Sequence, residues 1–284
     1  MFQYVDDDPV RIGKKLPDGY YACLEHDGTI IIRNLKREAE EWGDDMSKCW
    51  STSSQNLYPY NIGFNMNYME IHYTCDYEYE GCHIKNDDIV VDIGANIGIF
   101  TRFALQRGAK KVYAFEPSGA LFKCLSLNVD ADLVELYKAC VGSYTGLTRI
   151  ASSSVTYPMV GMADKLLPEN KYPYQDVTQC YSLDDLFDCE LFPDKVDFLK
   201  VDVEGGEIEV LKGLSDKNIG RVDRMAIETH HNPQKSSWLW KSNELDALQQ
   251  RLKSAFTYHN RIRFGWGDPN RSWDETLTLW RENA

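Results

Sequence analysis

The decapeptide FLKVDVEGGE, residues 198–207, begins as an apolar run and ends with Asp202, Glu204 and Glu207 crowded around two glycines. In an open α/β sheet, ligands bind outside the carboxyl ends of the strands, so a carboxylate where a strand runs out faces a binding rim. Asp202 is therefore a candidate base for deprotonating a weak hydroxyl nucleophile, a contribution typically worth about 10²- to 10⁴-fold. His230 is the second candidate: it follows the apolar run AIET, and imidazole titrates near neutrality, although His231 stands beside it. Glu204 would orient a substrate hydroxyl or bond the backbone of its own turn. Glu207, one position into the next helix, suits the positive end of the helix dipole. Asp202 and Glu228 end neighbouring-type strands, and the pair is a candidate Mg²⁺ site because that cation prefers hard oxygen ligands.

A second constellation lies in VDIGANIG. Asp92 closes an apolar strand, Gly94, Asn96 and Gly98 shape a turn, and the following helix presents its free N–H groups. No third glycine completes a GxGxxG dinucleotide pattern, and the charge of Asp92 is poorly suited to a pyrophosphate but suited to an ammonium. S-adenosylmethionine carries an ammonium, a carboxylate and a sulfonium, so an acidic wall and free amides would divide the work. Glu116 ends the next strand, 24 residues after Asp92, where a carboxylate accepts hydrogen bonds from ribose hydroxyls. Asp92, Gly94, Asn96, Gly98 and Glu116 are thus the expected cofactor residues; a ligand-free βα turn and a NAD-type site are the alternatives.

The elements that position these groups follow from apolar periodicity. From DDIVVDI onward, strands at KKVYAF, VELYKACV, VDFLKVDV and RMAIET alternate with helix candidates after the Gly-rich turn through Arg107, at a Ser118 cap, in SLDDLF and in GEIEVLKGL, which implies a parallel sheet covered on both faces. A helix over NELDALQQRLKSAF is followed by TYHNRIRF and ETLTLW, whose short connection leaves no room for a crossover helix and predicts an antiparallel pair. The first 85 residues have a different composition, rich in Tyr, Asn, Asp and Trp, with a short strand at GTIIIR and a charged helix at LKREAEEW. They read as an appendage, a lid or a substrate-recognition segment, before a cofactor-binding domain over residues 86–284.

Composition limits the partners. A net charge of −13, with no long Lys/Arg run, argues against nucleic acid. No apolar run reaches the roughly 18 residues of a membrane span, and MFQYVDDDPV lacks a basic segment leading into an apolar one, so the expected setting is cytoplasmic. Eight scattered cysteines without a CxxC pair read as reduced, buried thiols. His72, Cys75, Cys82 and His83 cluster in sequence, but their spacing fits no standard zinc site. Tyr68, Tyr73, Tyr77, Tyr79, Trp266, Trp273 and Trp280 are read as packing residues, with none assigned to the site.

DIGANIG (92–98), AFEP (114–117), ACVG (139–142), SLDDLF (182–187), VDFLKVDVEGGEIEVLKG (196–213) and AIETH (226–230) together resemble the FkbM-type S-adenosylmethionine-dependent methyltransferases, over roughly residues 86–231. The resemblance implies a class I methyltransferase sheet of seven mostly parallel strands whose last strand is antiparallel. It also implies O-methylation of a sugar hydroxyl, a glycan or a hydroxylated natural product. Ser143 departs from the acidic residue the family often carries there, and Gly206 from its Ala. The rival readings are a non-catalytic cofactor-binding partner protein and a NAD-type oxidoreductase.

Overall fold

The computed structural model of the protein describes residues 16–25, 28–42, 62–152, 174–231, 242–264 and 273–282. In chain order, a hairpin of β1 (Tyr20–Leu24) and β2 (Ile30–Asn34) leads into α1 (Leu35–Trp42), then α2 (Ile62–Met69) and a π-helical turn (Glu70–Thr74). There follow β3 (Ile89–Ile93), α3 (Ile99–Gln106), β4 (Lys111–Phe115), α4 (Gly119–Asn128), β5 (Val134–Tyr137), β6 (Ala139–Gly142), β7 (Gly146–Ser152) and β8 (Tyr174–Ser182). The chain continues through α5 (Leu183–Asp188), β9 (Val196–Val201), α6 (Glu207–Lys212), α7 (Asp216–Ile219), β10 (Val222–His231), α8 (Ser242–Ala255), β11 (Tyr258–Phe264) and β12 (Trp273–Trp280).

The main sheet has seven strands in the order β11-β12-β10-β9-β3-β4-β5. Six run in the same direction, and β12 alone runs antiparallel, paired with both β10 and β11. This is the class I methyltransferase arrangement, with the two C-terminal strands paired as their short connection requires. Strand order reverses between β3 and β9, which makes the gap above those two strands the place where an open sheet takes a ligand.

Each strand alternates its side chains between two cores. Val90, Val112, Phe198 and Ala226 enter one cluster, while Val91, Ile93, Phe115, Leu199, Val201, Met225 and Ile227 enter the other. Helices α5, α6 and α8 cover the second face through Leu186, Leu211 and Leu252. The first face is covered by α3 and α4 together with Tyr21, Leu35, Phe64, Tyr68, Tyr77 and Ile84. The N-terminal segment, expected as an appendage, is therefore built into the core of the sheet.

Two buried polar side chains lock it there. Asn128, 1% exposed, accepts from Ala22 N (2.6 Å) and donates to the carbonyls of Ala22 (2.9 Å) and Ile97 (2.7 Å), so its amide stands in for a neighbouring strand. Arg102 donates to the carbonyls of Tyr20 and Pro17 and lays its guanidinium 4.3 Å over the Tyr21 ring.

One element differs from the sequence reading. VELYKACV is two strands, not one: β5 pairs with β4, and beyond Lys138 the chain leaves for a separate three-stranded sheet, β6-β8-β7. Apolar character continues through the break because Ala139, Cys140 and Val141 remain buried after the change of sheet, and a continuous apolar run carries no mark of where its hydrogen-bond partners change. Among the described residues, no helix is long and apolar enough to cross a membrane.

Removing the Asn128 amide strands three buried backbone groups, each costing about 1–3 kcal/mol with partial relief by relaxation. Asn128→Ala is expected to lower the stability by roughly 2–4 kcal/mol, read as a lower urea midpoint at unchanged slope.

Candidate active site

The turn after β3 is built on backbone geometry that side chains would disrupt. Gly94 adopts φ +80°, and a Cβ there would lie 1.7 Å from the Asp202 carbonyl oxygen, so the two strand ends approach only because this residue is glycine. Asn96 is also left-handed, at φ +52°, an asparagine-tolerated conformation closed by its own Oδ1 accepting from Ile97 N at 2.8 Å. The N–H groups of Gly94 and Ala95 donate to the Phe115 carbonyl (3.0 and 2.9 Å), and Asp202 N donates to the Ile93 carbonyl (3.1 Å). The ends of β3, β4 and β9 are thereby tied around one rim.

Glu116 stands on that rim, 4% exposed, with Oε2 accepting from Asn96 N (3.0 Å) and Oε1 from Ser118 N (2.8 Å). Burial pushes its carboxyl up to about 7, against the opposing pull of those two N–H groups. Ser118 also caps α4, its Oγ accepting from Leu121 N at 3.5 Å.

A buried cation organises the other side. Lys200, 3% exposed, lies 3.3 Å from Asp92 Oδ1 and 3.3 Å from Asp202 Oδ2, and its Nζ donates to the Gly94 carbonyl at 2.9 Å. Burial alone would lower the ammonium's proton affinity, but Asp92 and Asp202 outweigh it and hold the group above its ordinary value. The rings of Tyr77 and Phe100 flank it at 5.4 and 5.7 Å. Asp92 is wholly enclosed, with Oδ2 accepting from Thr101 Oγ1 at 2.6 Å and Oδ1 facing Lys200 as an ion pair.

Asp92, expected to meet a cofactor's ammonium, faces the protein's own Lys200 ammonium and is not among the residues that line the cavity. The Tyr77 hydroxyl hydrogen-bonds Asp202 Oδ2 at 2.9 Å and also Glu228 Oε2, and burial followed by the two carboxylates holds the phenol well above its ordinary range. Asp202 and Glu228 are thus brought together, but the phenol oxygen sits between them where a shared Mg²⁺ was expected. Among the described residues, no group of three or more His, Cys, Asp and Glu is placed to hold a metal. His72 instead stacks on Tyr68 and Cys82 bonds the Met225 carbonyl.

A solvent-open cavity lies above the switch point. Gly94, Asn96, Glu116, Asp202 and Glu204 line it together with apolar Ile93, Phe115, Ala139 and Val141. Gly98 does not; it packs under the loop, where a Cβ would meet Leu125 Cδ1 at 2.7 Å. Glu204 sits in the left-handed turn at φ +53°, and Glu207, fully buried, accepts from Gly205 N at 2.8 Å, so it closes the turn rather than facing solvent at a helix end. His230 lies within β10 opposite Asp274 of β12 rather than beyond the strand. The side chains of His230, His231 and Trp273, and all of Trp266, lie outside the described residues.

A family model described as the Methyltransferase FkbM domain matches residues 92–263. The chain belongs to the FkbM methyltransferase family. This FkbM chain is 29% identical over 188 residues to "Methyltransferase sdnD" of Sordaria araneosa, covering 54% of this chain and 71% of that one. It is 28% identical over 191 residues to the 31-O-demethyl-FK506 methyltransferase FkbM of Streptomyces tacrolimicus, covering 57% and 73%. The crystal structure of Methyltransferase FkbM from Methylobacillus flagellatus KT aligns at 17% identity with a TM-score of 0.43, over 83% of this chain and 60% of that chain.

The FkbM match starts at Asp92, so Tyr77 enters the site from outside it. Tyr77 and Lys200 are the residues that sequence reasoning did not assign. Lys200 left a trace, a charge at the buried phase of an apolar strand, which requires a paired partner. Tyr77 left none, being 125 residues from Asp202 in the chain.

Replacing Lys200 by methionine keeps volume but leaves Asp92 and Asp202 uncompensated. Lys200→Met is expected to cost about 3–5 kcal/mol, measured by chemical denaturation, and Lys200→Arg is expected to recover part of it.

Proposed function

We propose that this FkbM-family chain is an S-adenosylmethionine-dependent O-methyltransferase that acts on a hydroxyl of a sugar, a glycan or a glycosylated natural product. The observation that carries the reading is the Glu116 carboxyl, buried on the rim with both oxygens oriented by backbone N–H groups and lining the cavity at the switch point.

The residues present fit this cofactor. Glu116 would accept from the ribose hydroxyls, Ile93, Ala139 and Val141 offer an apolar wall for the adenine, and the Gly94–Asn96 turn lets the ligand approach the backbone. When bound, the cofactor supplies an electrophilic methyl group on a sulfonium. Asp202 borders the same cavity with its carboxylate held in one orientation by Lys200 and Tyr77, so it is placed to accept the acceptor hydroxyl's hydrogen bond and align its oxygen. Alignment of this kind is worth up to about 7–11 kcal/mol in an in-line displacement. Glu204, on the same lip, is a second acceptor for a polyhydroxylated substrate. The O-methyl assignment has further support in a relative whose name specifies a 31-O-demethyl acceptor.

The ionised form of Glu116 is the one that accepts both ribose hydroxyls, and its carboxyl titrates at about 7. Affinity for S-adenosylhomocysteine, measured by isothermal titration, is expected to rise as pH increases through 7. Glu116→Gln is expected to flatten that dependence and to weaken binding about 10- to 100-fold, the loss of a charged hydrogen bond. The stability sign runs the other way. The folded state holds the Glu116 proton more tightly than the unfolded chain does, so its contribution declines as pH rises from 4.5 toward 7.

With labelled cofactor and a panel of hydroxylated glycans, Asp202→Asn is expected to reduce turnover by about 10²-fold or more while the cofactor dissociation constant stays within a few-fold. Equal turnover would remove Asp202 from the chemistry.

A further inference from the structure

Cys140 of β6 and Cys180 of β8 are direct partners in a parallel ladder. Partners across a parallel ladder project to the same face, and adjacent strands lie about 4.8 Å apart, inside the roughly 4.4–6.8 Å Cα separation that a disulfide spans. The two thiols are free; Cys140 Sγ donates to the Gln179 carbonyl at 3.5 Å and Cys180 Sγ to the Tyr181 carbonyl at 4.0 Å. Each sulfur perturbs the other across the ladder, pushing the Cys140 thiol up and the Cys180 thiol down. Cys140 lines the cavity and is 8% exposed, whereas Cys180 behind it is fully buried. Methyl transfer uses neither sulfur.

We propose that Cys140 and Cys180 are a redox-active pair that closes a disulfide in the wall of the cavity, reached through the cavity by a small peroxide. Cys140 gives its proton to solvent that reaches it through the cavity, leaving the thiolate that the peroxide meets. Its sulfur attacks one peroxide oxygen, the O–O bond breaks, hydroxide leaves, and Cys140 becomes a sulfenic acid. The Cys180 thiolate then attacks the Cys140 sulfur, the S–O bond breaks and a second hydroxide leaves. With the two thiol protons these hydroxides form two waters, so two thiols are oxidised as one peroxide is reduced. Joining the sulfurs at about 2.0 Å draws the Cys140 side chain toward β8 and reshapes the wall where the nucleoside is proposed to lie. This last effect rests on the proposed function; the bond itself does not.

The test treats the full chain with hydrogen peroxide under native conditions, alkylates the remaining thiols and maps the digest by mass spectrometry. The expected result is a Cys140–Cys180 linked peptide that disappears on reduction with dithiothreitol. In Cys180→Ser, whose folding is checked by thermal melting, a Cys140 sulfenic acid trapped by dimedone is expected in its place. Both cysteines remaining alkylated and unlinked while the exposed Cys189 oxidises would overturn the proposal. S-adenosylhomocysteine at saturation is expected to slow linkage about tenfold, and the linked protein to bind it about tenfold more weakly. Linkage at an unchanged rate with that nucleoside present would uphold the dithiol pair and overturn the placement of the nucleoside.

Discussion

The site depends on one buried charge. Lys200 sits between Asp92 and Asp202 and also donates to the Gly94 carbonyl, so a single ammonium joins the ends of β3 and β9 and the turn between β3 and α3. Taking an ammonium out of water costs several kcal/mol even after relaxation, and one partner seldom offsets that. Here two carboxylates and a carbonyl share the cation, with Tyr77 and Phe100 against it. The gain is in placement more than in stability: Asp202 cannot turn away from the cavity without leaving Lys200 and Tyr77, both buried, without it.

The same rim carries a carboxylate of a different kind. Among the described residues Glu116 meets two N–H groups and no cation, and burial raises its proton affinity until it titrates at about 7. Two acidic residues at the ends of neighbouring strands, Asp92 and Glu116, thus have opposed environments. One is locked in an ion pair under the loop and holds the scaffold; the other opens into the cavity, and its charge responds to pH. Different surroundings giving like side chains different roles is a general device of enzyme sites.

The N-terminal segment completes both the fold and the site. Its apolar residues cover the face of the sheet that α3 and α4 leave open, and Asn128 and Arg102 bind its backbone from beneath. Because that packing fixes the chain around Ile84 and Cys82, Tyr77 reaches between Asp202 and Glu228. The matched FkbM domain starts after this segment, so part of the geometry around the rim at its strand ends is supplied by chain that the domain does not include.

What the sequence determined by itself is what local physics encodes. Continuous apolar runs specified β3, β4, β9 and β10 because parallel strands are buried on both faces, the short link before ETLTLW specified the antiparallel end, and the glycines of GANIG specified the turn. Asp202 and Glu116 were legible as rim residues for the same reason, since each stands where an apolar run stops. The tertiary structure alone decided which charges face each other. Asp92 lies eight strand-and-helix elements of chain away from Lys200 but one hydrogen-bonded strand away in space, because β9 inserts beside β3, and that neighbourhood gives Asp92 an internal ion pair that its sequence context does not announce. Tyr77 and Glu228, 151 residues apart, meet for the same reason, and no pattern of period 2 or 3.6 records it. Periodicity reports whether a side chain is buried; the partner that makes burying a charge or a hydroxyl tolerable is set by strand order and packing.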